Sequence, residues 1–350
     1  MRVSGTVELI SREDPNMQVL DQCLDGLKYG CPQIHLNLTA YPLLVTDSPE
    51  PGYVTLAAAM AAGYVSIREV DEAGSVPSLL LKNSGSNPIL VLDGEELIGA
   101  KQNRIANCTI LAPAHDTITI PVSCVEAGRW SYDSDEFNVS DRTQFMDARR
   151  AKMAKVSASL RYDGLRDADQ HDVWAKIDEK AARMEVQSRT GAMADLYEQH
   201  GHSIQTYVDA FTAVDGQVGA VFAVGRRIEG MELFNADRTF GELLPKIVRS
   251  YAIDAMERPL KSFEANVSAA PRFVQGTKRA HAETYRAVGL GTDLRLRGHG
   301  IIAAGLIYED SIVHLAAFAA PATYQRTDGE DDTSDRLERF LARRRFDRAA

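Results

Sequence analysis

The sequence predicts an α+β protein: an N-terminal β-rich sheet or sandwich, a helical middle layer, and C-terminal hairpins packed with a helix. Three observations lead there. Short β-rich runs crowd residues 64–126, the apolar period turns helical between about 144 and 211, and paired apolar runs return beyond Gly216. No sustained alternation of strand and helix is present, which argues against a doubly wound nucleotide fold.

Taken in order, "NMQVLDQCLDGLKY" at 16–29 places Met17, Leu20, Leu24 and Leu27 on one helical face, and "IHLNL" at 34–38 alternates as a strand does. "TLAAAMAAG" reads as a short helix closed by Gly63. "VSIREV", "SLLLKN", "PILVLDG", "CTILAP" and "TITIPVSCVE" follow as short strands parted by Gly, Pro, Asn and Asp. Met153, Val156 and Leu160 make one helical stripe; Val173, Trp174, Ile177, Ala181 and Met184 make another. "GAVFAV" and "IEGMELF" flank Gly225-Arg226-Arg227 as a hairpin, and Leu243, Leu244, Ile247, Val248, Tyr251 and Ala255 mark a helix over 239–257. "DLRLRG", "GIIAAGLIY" and "SIVHLAAFA" complete the strands, the last two joined at Glu309-Asp310. The expected parts are a β-rich domain at 1–142, a helical segment at 143–215, a hairpin-helix-hairpin part at 216–325, and a charged mobile tail at 326–350.

The chain has 350 residues with 45% hydrophobic and 25% charged side chains and a formal net charge of −10. That balance excludes a broad electrostatic footprint for nucleic acid while allowing a local basic pocket. No run of about 18 apolar residues occurs, so no membrane partner is expected and a cytoplasmic location follows by default. Cys23, Cys31, Cys108 and Cys124 lack CxxC spacing and read as reduced thiols. His200 and His202 have no third ligand nearby in sequence, so no metal is expected, and no cofactor is expected either. Composition leaves a homo-oligomer open.

Two stretches concentrate chemistry. In "VLDGEELIGAKQNR", Glu95 and Glu96 are adjacent carboxylates, and Lys101, Gln102, Asn103 and Arg104 form a basic-amide run between glycine-marked bends. A solvated turn explains such runs in most proteins, but this density of different donors and acceptors also suits a polar ligand. In "PVSCVEAGRW", Cys124 and Glu126 share a strand face, and Arg129 with Trp130 pairs a guanidinium with an indole. That pair can hold a phosphate and stack on a base or sugar. A strand cysteine is more often a small core hydrophobe than a nucleophile, and Glu126 beside it works against a thiolate. His299 reads as an exposed loop residue and His314 as a hydrogen-bonded structural one. There is no Walker loop, GxSxG elbow or dinucleotide fingerprint.

"LDGEELIGAKQNR", then "IPVSCVEAGRW", "GQVGAVFAVGRRIEGMELF" and "KIVRSYAIDA", in that order from about residue 35 to 320, resemble the ARG- and rhodanese-phosphatase-superfamily-associated protein domain family. This is a bacterial group without an assigned biochemical activity. Its name records gene neighbourhoods with ADP-ribosylglycohydrolases and with rhodanese or phosphatase proteins, so the resemblance implies a link to ADP-ribose or NAD-derived nucleotides by association. It brings no catalytic assignment to transfer.

Three functions stay open at this point. One is a small-molecule nucleotide site in which Lys101, Arg104 and Arg129 neutralise phosphates, Trp130 stacks, Gln102 and Asn103 read hydroxyls, and Glu95, Glu96 or Glu126 moves a proton if there is turnover. Another is a non-catalytic assembly module whose motifs are buried structural corners. The third is cysteine-based hydrolase or transferase chemistry at Cys124. Whether the chain is an enzyme is not decided by sequence.

Overall fold

The computed structural model describes residues 14–71, 77–131, 134–260 and 265–321. The expected tail at 326–350 lies outside the described residues. The first half runs α1 (Pro15–Asp25), β1 (Lys28–Tyr29), β2 (Gln33–His35), β3 (Leu38–Leu44), β4 (Val54–Thr55), α2 (Leu56–Ala61), β5 (Val65–Glu69) and β6 (Ser78–Asn83). It continues with β7 (Ile89–Val91), β8 (Glu95–Gly99), β9 (Arg104–Ala106), β10 (Ile110–Ala112), β11 (Asp116–Cys124) and β12 (Phe137–Thr143). Four helices follow: α3 (Met146–Asp163), α4 (Gln170–Arg183), α5 (Met193–Gln199) and α6 (Gly201–Ala210). The chain then gives β13 (Gln217–Val224), β14 (Arg227–Phe234), α7 (Asp237–Met256), α8 (Ala269–Arg279), β15 (His281–Arg286), β16 (Thr292–Gly298), β17 (Ile301–Tyr308) and β18 (Ser311–Ala319). The fold is α+β.

Local chemistry sets several of these boundaries. Asp14 accepts from the Asn16 amide at 2.8 Å and Pro15 occupies the first turn, so α1 starts there and buries Met17, Leu20 and Leu24. Thr55 caps α2 in the same manner through Ala58. Gly164, in the left-handed region at φ 67°, ends α3.

A nine-stranded antiparallel sheet in the order β1-β3-β13-β14-β18-β17-β16-β15, with β2 also on β3, forms the larger layer. Both of its faces are covered. Helices α1 and α8 pack on one side around Val221, Leu233 and Leu315, while α3 to α7 pack on the other around Phe222, Phe234 and Phe318. This is why β13 and β18 read as continuous apolar runs rather than alternating ones. The β17–β18 turn at Glu309 and Asp310 has positive φ at both residues, the requirement of a tight turn matching strand twist.

Residues 28–44, expected with the 1–142 unit, hydrogen-bond instead into this sheet: Tyr41 pairs with Val221 and Leu43 with Gly219. Sheet pairing therefore crosses the expected boundaries at 142 and 215. The helical segment does not stand apart either, because its core is continuous with both sheet systems through Leu92, Ile105 and Val125 on one side and Phe222 and Phe318 on the other.

The remaining strands form a smaller unit. A six-stranded sheet in the order β12-β8-β9-β11-β6-β5 curls until its edge strands touch, and Arg68 on β5 pairs with Glu136 beside β12. A three-stranded sheet, β10-β7-β4, and α2 pack over the same core of Leu79, Leu81, Leu97, Ile120 and Phe137. Both polar motifs lie on this curved sheet.

Candidate functional site

The basic-amide run is not one strand. β8 ends at Gly99, where φ is 125° and a side chain would strike Ser134 and the Glu136 carbonyl; Ala100 is also at positive φ. Lys101, Gln102 and Asn103 thus form the turn into β9, and Asn103 Oδ1 accepts from the Gly99 amide at 3.1 Å. Gly94 is needed for a different reason: at φ 78° its Cα faces the Arg149 side chain, which an added Cβ would approach to 3.0 Å.

The turn meets the second motif directly, because β11 lies beside β9 with Cys124 opposite Arg104. Gln102 Nε2 donates to the Glu126 carbonyl at 2.9 Å and the Asn103 amide to Glu126 Oε2 at 3.3 Å. Arg129 binds Glu126 Oε2 through Nε at 2.8 Å, Ala100 O through Nη1 at 2.7 Å, and Asn103 Oδ1 through Nη2 at 3.1 Å. Thr190 donates to the other Glu126 oxygen. Gln102, Asn103, Glu126 and Arg129 are consequently engaged with one another and clamp the two strands together. Gln170 of α4 holds the Cys124 backbone at both its N–H and its C=O, 2.7 Å each, which docks the helical layer on the same point.

The Cys124 thiol is fully buried and donates to Gln102 Oε1 at 3.0 Å. Burial pushes it up, and the Glu126 amide and the Arg104 charge pull it back only in part. It rests as a thiol.

Beside it lies a group of buried polar atoms that make no hydrogen bond. Arg104 is 0% exposed; its Nη1 reaches Gln102, but Nε and Nη2 make no hydrogen bond. Both carboxylate oxygens of Glu69 are likewise buried and unpaired, one of them 3.8 Å from Arg104 Nη2. The Trp174 indole N–H lies next to the Cys124 sulfur, outside hydrogen-bonding geometry. Register explains the convergence. Leu97, Arg104 and Cys124 stand side by side across β8, β9 and β11, as Glu69, Leu79 and Ile120 do across β5, β6 and β11, so the charges enter a face that is otherwise apolar core. Burial pulls the Arg104 guanidinium below its ordinary value, yet it remains a cation. Trp130, half exposed, covers the group from outside, its ring centroid 5.9 Å from Arg104 Cζ and 5.4 Å from Lys101 Nζ.

Glu95 and Glu96 are engaged elsewhere. Glu95 pairs with Lys246 of α7 and accepts from the Leu92 amide; Glu96 accepts from Ser140 and from Arg142 Nε at 2.7 Å. Sequence reasoning passed over Glu69 and read Trp174 only as part of an apolar helical stripe. The signal for Glu69 is its place in "VSIREV", on the face of Val65 and Ile67, where alternation should put an apolar residue. It also missed a buried ionic chain between the sheets: Lys152–Asp93 at 2.6 Å, Arg149–Asp93 at 3.5 Å, Arg149–Glu232 at 2.7 Å, Glu232–His314 at 2.9 Å and His314–Thr109 at 2.7 Å.

Among the described residues no group of three or more His, Cys, Asp or Glu is arranged to hold a metal ion, and no helix is long and apolar enough to cross a membrane. A family model described as ARG and Rhodanese-Phosphatase-superfamily-associated Protein domain matches residues 26–318. No curated protein and no solved structure gives a significant match.

Proposed function

The chain belongs to the ARG and Rhodanese-Phosphatase-superfamily-associated Protein domain family, and from that premise we propose that it binds a phosphate-bearing nucleotide of the ADP-ribose or NAD-derived kind where its two polar motifs meet. One observation carries the reading: Arg104 is a cation inside an apolar core whose Nε and Nη2 donate no hydrogen bond. Each orphaned group of this sort costs roughly 1–3 kcal/mol, and an anion restores the loss. In this reading Arg104 and Lys101 receive phosphate oxygens, Trp130 stacks on a planar ring, and Gln102, Asn103, Glu126 and Arg129 hold the frame. The reading is of binding; Glu95, Glu96 and Glu126 are each paired with a cation, which disfavours them as free acids or bases.

Titration of the full chain with ADP-ribose and NAD tests it. Trp130→Ala, at a half-exposed position, should leave the melting temperature unchanged and weaken binding by about five- to a hundred-fold, the range of a lost stacking contact. Absence of heat with both ligands would sink the reading.

A second reading, the structural corner, is favoured by Arg129, whose donors are already engaged with Glu126, Asn103 and the Ala100 carbonyl. Chemistry at Cys124 ranks third, since its thiol is buried and held protonated.

A further inference from the structure

Glu69 poses a problem that an anion on Arg104 does not solve. Its side chain is 5% exposed, both oxygens lack donors, and the nearest cation is 3.8 Å away. A ligand that brought only phosphate would set a second negative charge against this carboxylate and leave its oxygens unpaired. An amine would satisfy Glu69 but would sit against the Arg104 guanidinium, a like-charge contact in a desolvated site. Neutral donors avoid the clash with Arg104 and give the Glu69 oxygens hydrogen bonds that offset the approach of a phosphate. A pair of adjacent hydroxyls offers two O–H groups to two carboxylate oxygens and adds no charge.

Resting on the nucleotide reading above, we infer that Glu69 receives the vicinal hydroxyls of a ribose whose phosphate lies on Arg104, so that the site selects ribose over 2-deoxyribose. The spacing fits a single sugar phosphate, because the two unpaired groups are neighbours on one face of the curved sheet rather than at opposite ends of it. Trp174, with its N–H unpaired beside Cys124, adds a donor on the anion side. Glu69 thus acts as the discriminating residue and Arg104 as the anchoring one.

Calorimetric titration of the full chain with ribose 5-phosphate, 2-deoxyribose 5-phosphate and inorganic phosphate separates the two ideas. Ribose 5-phosphate should bind at least roughly tenfold more tightly than its 2-deoxy counterpart, since a hydrogen bond to a charged group is lost in the latter. In Glu69→Gln that gap should close while the affinity for inorganic phosphate does not fall, since a neighbouring negative charge has been removed. Equal affinity of the wild-type chain for both sugars would overturn the inference and leave anion binding standing, and this comparison needs no variant to fold. A gap that persists in a folded Glu69→Gln chain would also overturn it. No binding of any of the three, nor of ADP-ribose, would remove the nucleotide reading and this inference together.

Discussion

Arg149 Nη1 lies 2.7 Å from Glu232 Oε1, with both side chains wholly out of solvent, so helix α3 is tied to the centre of the nine-stranded sheet by a salt bridge inside the core. Arg149 also reaches Asp93, two residues before the paired carboxylates of the first motif, at 3.5 Å. The large sheet, the helical layer and the small curved sheet are therefore linked through one guanidinium. A buried ion pair contributes little beyond an apolar pair of the same shape, but half of one is costly. Glu232→Gln should lower the unfolding free energy by about 3–5 kcal/mol in urea denaturation, and joint replacement of Arg149 and Glu232 by Met and Leu should restore much of the loss. A Glu232→Gln change within 1 kcal/mol of wild type would show that the pair does not hold the layers together.

Acid should act through the same chain. Burial pushes the Glu232 carboxyl up, but the charge of Arg149 and the hydrogen bonds from Arg149 and His314 together outweigh it and leave it below the ordinary 4.5. Asp93, against Lys152 and Arg149, likewise ends below 3.8 despite its burial. Lowered acids add stability that is complete above their unfolded values and is lost as pH falls through the folded ones. Glu96 and Asp254 have the opposite sign, since burial raises both, and their share is lost as pH rises through their folded values. The difference in unfolding free energy between wild type and Glu232→Gln isolates the first effect. It should be flat above the ordinary carboxylate value and shrink below it; a difference that grows towards acid would refute the assignment.

Sequence periodicity carried the fold where an element is buried by its own pattern. The stripes of α3, α4 and α7 and the apolar runs of β13, β14, β17 and β18 all stand where the spacing places them. It failed on residues 38–44. "LTAYPLL" contains Pro42 and finds its inner partner, β13, about half the chain away, so nothing local marks it as an inner strand. Helix α8 contains Pro271 and Gly276, poor helix formers that weaken its local signal. At the site, the meeting of the two motifs was foreseeable because β9 and β11 are near in sequence, and glycine placement marks the turn. The Arg149–Glu232 pair, 83 residues apart, was not, since charge complementarity has no period.

Thiol reactivity discriminates among the proposed functions. Burial raises Cys108 to about 12 and Cys23 to about 11, and it raises Cys124 as well; Cys31 is the exposed one. In the native chain at neutral pH a disulfide reagent should modify Cys31 rapidly and leave Cys108 and Cys124 untouched until denaturant is added. Mass-spectrometric mapping reads the order. Rapid native modification of Cys124 would mean that its thiol is open and ionised, and would bring cysteine chemistry back into consideration.

Arg129 separates a structural corner from a ligand contact. Its donors bridge Glu126 on one motif to Ala100 and Asn103 on the other, and the guanidinium is only partly shielded. Replacement by Gln leaves Glu126 with Thr190 and the Asn103 amide, so the strands stay paired while the clamp loosens. The expected cost is about 2 kcal/mol of stability, typical of lost charge-assisted hydrogen bonds at a partly exposed site. Because Arg104, rather than Arg129, has donors to offer, ADP-ribose affinity in a folded Arg129→Gln chain should fall no more than about threefold, whereas Arg104→Gln should abolish it. The reverse pattern, with Arg129→Gln stable and unable to bind while Arg104→Gln binds normally, would place the anion on the outer guanidinium and make the buried one the structural partner.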